Sequence, residues 1–137
     1  MTDMKRRTLL TGLTGLSVAS TAGCLHMLDS ASAAIGTLIL SNDDTKPHVF
    51  HIEIERYGTS VAILSKRVDG ADDEGHAGGA TIAGDWGKPG RYDVTVRVAD
   101  ARGHVRLEDD DCNDIVITYS SGRLGFFTDL LDDGCPN

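Results

Sequence analysis

Three cysteines, two closely spaced histidines and three acidic clusters carry most of the chemistry open to this chain of 137 residues. Cys24, Cys112 and Cys135 can each supply a thiolate for a metal or a sulfur for a disulfide. His48-x-x-His51 would align two imidazoles on one face of a helix, whereas on a strand an odd separation sends them to opposite faces. Asn42-Asp43-Asp44, Asp72-Asp73-Glu74 and Asp109-Asp110-Asp111 offer the hard oxygen donors that calcium takes from loops. None has the ordered Asp-x-Asp-x-Asp-Gly spacing with a distal Glu, and a chain with 21 acids against 13 Lys and Arg carries acidic runs without any metal. We therefore assign no metal ligand and no cofactor, and keep calcium in the acidic loops as an alternative.

Catalytic signatures are missing. The chain has no Gly-x-Ser-x-Gly elbow, no phosphate loop ending in Lys and no His-Glu-x-x-His. Gly75-His76-Ala77-Gly78-Gly79 is glycine-rich but lacks the Lys that phosphate binding would use. The expectation is a protein that is not an enzyme. A net charge of −8 also argues against a nucleic-acid partner, whose phosphates need a basic surface.

The elements that must position these residues are strands. Phe50, Ile52 and Ile54 alternate with His51, Glu53 and Glu55; Tyr92, Val94, Val96 and Val98 alternate with Asp93, Thr95 and Arg97; Ile115, Ile117 and Tyr119 alternate with Val116 and Thr118. Weaker runs occupy 37–40, 60–68, 104–108 and 123–127. Tyr57-Gly58-Thr59, Asp100-Ala101-Arg102-Gly103 and Ser120-Ser121-Gly122 separate them, each with a glycine for positive φ. Residues 69–89 read as the longest irregular piece, crossing between sheets, with Trp86 plugging one end. Seven short strands joined by hairpin-length turns, with no long helical pattern, predict an all-β fold: a seven-stranded antiparallel β-sandwich. A two-residue turn at Ser121-Gly122 then sets Cys112 opposite position 131, four residues short of Cys135. A Cys112–Cys135 disulfide tying down the C-terminal tail is the expected result.

Gly90-Arg91-Tyr92-Asp93-Val94 resembles the Gly-x-Tyr-x-Val start of a late strand in immunoglobulin-like sandwiches, and the same segment occurs in cupredoxin-like ones. The immunoglobulin-like resemblance implies an inward Tyr92 whose hydroxyl bonds back to the preceding corner. The cupredoxin-like one raises copper, which needs two His, a Cys and usually an axial Met. No His or Met follows Cys112, so copper is the weaker metal alternative.

The N-terminal segment is an address. Lys5-Arg6-Arg7 stands directly before a short, weakly apolar run over residues 9–22, too short for a stable transmembrane helix. The Arg6-Arg7 pair with this run resembles a twin-arginine export signal, and Thr21-Ala22-Gly23-Cys24 resembles a lipobox, which implies lipidation of Cys24 after removal of residues 1–23. Residues 24–34 then form a lipid-anchored tether and 35–137 the β-sandwich domain. Export implies an oxidising compartment, which suits the disulfide. Removal of Asp3, Lys5, Arg6 and Arg7 leaves ten cations, twenty anions and a net charge of −10. Seventeen of the 21 acids are Asp, and Lys46, Lys66 and Lys88 are the lysines left. This surface repels itself in dilute buffer and is screened at molar salt, where the Debye length is about 3 Å. The chain thus resembles the small haloarchaeal twin-arginine lipoproteins with such sandwiches. That resemblance implies a location, the outer face of the cell membrane, and no activity.

Function must therefore come from a site rather than a fold. The expectation is a non-enzymatic, lipid-anchored extracytoplasmic binding or accessory protein. Its partners are the membrane, through Cys24, and a protein of the cell envelope. The alternatives are a calcium- or copper-binding module and an accessory subunit of an envelope transporter or oxidase complex.

Overall fold

The computed structural model describes residues 31–109, 111–131 and Cys135, and of Asp111 the backbone alone. Residues 1–30, with Arg6, Arg7 and Cys24, lie outside the described residues, as does Asp110. The described residues form eight strands and no helix: β1 (Ala33–Asn42), β2 (His48–Arg56), β3 (Thr59–Val68), β4 (Gly78–Ala83), β5 (Tyr92–Val98), β6 (Ala101–Leu107), β7 (Asp111–Ser120) and β8 (Arg123–Leu130). They make two four-stranded sheets, sheet A in the order β4-β1-β7-β8 and sheet B in the order β3-β2-β5-β6.

The alternation explains how the sheets meet. Phe50, Ile52 and Ile54 of β2 and Tyr92, Val94, Val96 and Val98 of β5 turn one face of sheet B inward, and all are buried. Leu38 and Leu40 of β1, with Ile115, Ile117 and Tyr119 of β7, do the same for sheet A. One core joins the two faces, and Ala62, Leu64, Ala80, Ile82, Val105, Leu124 and Phe126 of the four edge strands close it at the sides. A side chain of this size contributes about 1.5–3 kcal/mol when fully buried, so the two central pairs carry most of the stabilisation.

The expected count of seven strands is corrected to eight. The extra one, β4, lies in the stretch read as irregular, because Gly78-Gly79-Ala80-Thr81-Ile82-Ala83 carries little β-forming bulk. Its first glycine has a steric cause: a Cβ at Gly78 would lie 1.8 Å from the Asp69 carbonyl oxygen. The sandwich is also not wholly antiparallel, since β1 and β7 run parallel at the centre of sheet A. A parallel pair needs a long connection, here five intervening strands, and hairpin-length gaps cannot reveal it.

Two local features set the register. β1 carries a bulge between Ile35 and Leu38, so both bury on the same face despite their odd separation. That shift hides the period of β1, which begins at Ala33, with Ala33 and Ala34 already buried. The second feature is the β5–β6 turn, which lies at Ala99-Asp100, where Ala99 has φ 50°, and not over Asp100-Ala101-Arg102-Gly103 as expected. Gly103 sits within β6 because a Cβ there would meet the Phe126 ring at 2.4 Å. The other two hairpins turn at Tyr57-Gly58 and Ser121-Gly122, all four residues at positive φ.

Candidate functional site

The outer face of sheet B carries several cations of an acidic chain. The Ala99-Asp100 turn makes Arg97 and Arg102 direct cross-strand partners. On the other side of Arg97, β2 presents His51, and β3 presents Ser65 opposite His51. Adjacent strands lie about 4.8 Å apart, so this row of hydroxyl, imidazole and two guanidinium groups crosses the sheet in about 14 Å. All four residues are exposed. His51 Nδ1 and Ser65 Oγ share a hydrogen bond of 3.0 Å. Among the described residues, neither Arg97 nor Arg102 has an ion-pair or side-chain hydrogen-bond partner.

Further along the same two strands the charges are paired. Asp93 Oδ1 accepts hydrogen bonds from Arg106 Nε at 2.8 Å and from His104 Nε2 at 2.9 Å. Burial at 8% exposure works against ionisation of Asp93, but the hydrogen bonds from Arg106 and His104 outweigh it and hold the carboxyl below its ordinary range. Removing the charge in Asp93→Asn is expected to cost about 1–3 kcal/mol at neutral pH, read by urea unfolding. A folded-state pKa below the unfolded value means stability that is present above the ordinary value of 3.8 and lost as pH falls through the lowered pKa. The gap between wild type and Asp93→Asn should therefore narrow as the pH falls through that range. A gap that stays constant down to strong acid would rule the network out as the source.

Beside the unpaired charges lies a shallow groove of about 300 Å³, bordered by His51, Glu53, Ile63, Thr95, Arg97 and Arg102. Ile63 is 76% exposed, the most exposed large apolar side chain among the described residues. Two larger hollows offer less chemistry. One of about 490 Å³ at the β6–β8 edge contains Arg106, already committed to Asp93. One of about 570 Å³ beside the β1 bulge holds Lys88 as its only cation.

Apart from His51, the residues singled out by sequence fall elsewhere. Cys112 and Cys135 are disulfide-bonded, with Cα atoms 5.0 Å apart, and the Leu131 amide donates to the Cys112 carbonyl at 2.9 Å. The sulfur of Cys112 is thus engaged and is not a thiolate. His48 and His51 point to opposite faces of β2. His48 packs edge-on against Tyr119 at 4.7 Å and bonds Asp44 Oδ2 at 2.7 Å. That bond to His48, joined by the Thr45 amide, lowers the pKa of Asp44. The acids close loops: Asp72 Oδ1 accepts from the amides of Glu74 and His76, and buried Asn42 donates to the carbonyls of Lys46 and Val68. No three His, Cys, Asp or Glu side chains converge on a metal position among the described residues.

Sequence reasoning missed the Arg97–Arg102 pair, and the cause was the turn. Arg97-Val98-Ala99-Asp100-Ala101-Arg102 is symmetric about Ala99-Asp100, and a hairpin centred there sets the arginines face to face. Placing the turn over Asp100-Ala101-Arg102-Gly103 destroyed that symmetry. No family model matches this chain, and no curated protein matches it in sequence.

Proposed function

We propose that this chain is a non-enzymatic, lipid-anchored extracytoplasmic binding protein of the immunoglobulin-like sandwich type, whose binding surface is the outer face of sheet B. The observation that carries the reading is the exposed row of Arg97, Arg102 and His51 beside Ile63, on a chain with a net charge of −8. Arginines set face to face without partners disfavour the sheet, and Ile63 adds apolar surface to the groove they border. The immunoglobulin-like assignment draws support from Tyr92, which is 1% exposed and whose hydroxyl donates to the Lys88 carbonyl at the preceding corner. Burial also pushes the Tyr92 phenol pKa up.

The Ser65–His51 contact does not favour an enzyme. It lies on an exposed sheet, with the backbone of both residues paired across the β2–β3 ladder, so no amides converge there as an oxyanion hole. The anchor reading rests on Arg6, Arg7 and Cys24. Cys24→Ser is expected to move the protein from the membrane fraction to the medium or leave it unprocessed, as seen by fractionation and mass spectrometry. A variant still processed and membrane-bound would overturn lipidation.

The binding reading is tested by crosslinking in intact cells and recovery from detergent-solubilised membranes. Partners recovered with wild type should be lost with Ile63→Ser and with the double variant Arg97→Gln/Arg102→Gln. An identical set of partners from all three proteins would sink it.

A further inference from the structure

Arg97 and Arg102 stand one residue pair in from the Ala99-Asp100 turn, directly opposite each other. Like charges so placed destabilise a sheet. The chain does not lack acids to separate them, having 21 against 13 Lys and Arg. Two outward-facing pairs further along, Asp93 and Arg106 show the paired arrangement on the same two strands. Such an arrangement, kept against its own electrostatics, marks a position selected for something other than stability.

The geometry suits an anion. A guanidinium group presents a planar fork that matches a carboxylate or phosphate with two parallel hydrogen bonds. Two forks on adjacent strands can grip one oxyanion from both sides, and His51 across β5 adds a further donor. Glu53 borders the groove one row away, opposite Thr95, and keeps an anion on the arginine side. The chain enters the domain beside Tyr57, whose hydroxyl donates to the Ala31 carbonyl at 3.0 Å, and Ala33 bridges Gly90 at the start of β5. Arg97 lies five residues beyond Tyr92, about 17 Å along the strand. The arginines thus sit toward the other end of β5 from these contacts of Ala31 and Ala33.

Resting on the reading of this face as the binding surface, we infer that Arg97, Arg102 and His51 form a site for an oxyanion group, a carboxylate or a phosphate.

The test is calorimetric titration of the full chain in detergent with citrate and with inorganic phosphate, at constant ionic strength set by chloride. Wild type should bind at least one of them saturably, and the tighter one identifies the group as carboxylate or phosphate. Arg97→Gln and Arg102→Gln should each weaken binding by roughly 10- to 100-fold. Arg123→Gln, on the other sheet, should leave it unchanged. Arg102→Glu turns the like-charge contact into an ion pair. It should raise the melting temperature by about 1–5 °C while abolishing binding, a combination that misfolding does not produce. The inference fails if wild type binds neither anion, or if the double variant Arg97→Gln/Arg102→Gln binds as wild type does. Loss of partner recovery with Ile63→Ser alone, without anion binding, would leave the binding face standing and remove only the oxyanion site.

Discussion

Cys112→Ser is expected to destabilise the domain by about 2–5 kcal/mol, and Cys135→Ser by the same amount. The bond closes a loop with a sequence separation of 23, for which chain entropy alone accounts for roughly 3 kcal/mol. Burial adds to that. Cys112 is 2% exposed, and a Cβ at Gly36 would lie 3.3 Å from its sulfur, so the site is packed and a serine hydroxyl there gains no room for water. Since either change removes the same bond, the double variant should lose little more than the worse single one. Urea unfolding of the three variants, with reduced wild type as the fourth sample, checks this. Additive losses would mean that the two sulfurs act separately.

Trp86→Ala should cost about 3–5 kcal/mol, a large fraction of the 5–15 kcal/mol typical of one domain. Trp86 is 5% exposed and belongs to the common core, and its carbonyl accepts the Ile35 amide at 3.1 Å where β1 begins. Gly84 lies under the ring so closely that a Cβ would stand 2.3 Å from it. Removal of the ring therefore empties the end of the sandwich. Since the chain has a single tryptophan, wild-type unfolding can be followed by its fluorescence and the variant by circular dichroism. A loss below about 1 kcal/mol would point instead to a ring available for stacking on a ligand.

The strands with two-residue alternation and bulky β-formers were legible in the sequence. β2, β5 and the second half of β7 read directly from Phe50 to Ile54, Tyr92 to Val98 and Ile115 to Tyr119. The disulfide was legible for the same reason, since Ser121-Gly122 fixes the β7–β8 register one residue at a time. What was hidden has a common cause, which is glycine serving packing rather than turning. Gly78 starts a strand pressed against the Asp69 carbonyl, and Gly103 makes room for Phe126, yet both read as loop or turn. The misplaced turn then concealed the candidate site, because only the true register brings Arg97 to Arg102. Meanwhile Ala99 adopts positive φ without a glycine to announce it.

The position of β1 in the middle of sheet A has a mechanical consequence. β1 is the first strand of the described residues, and it is hydrogen-bonded on both edges, to β4 over Thr37 to Asn42 and to β7 over Ala33 to Asn42. On the proposed anchoring at Cys24, a pull on a captured ligand would reach the membrane through β1 and load it along its axis. The ladder bonds lie across that axis, so they are loaded together in shear instead of being opened one after another. Resistance then depends on the rate at which the whole strand slides out, a kinetic property. Attachment through an edge strand such as β4 or β8 would leave half as many bonds to hold the same load.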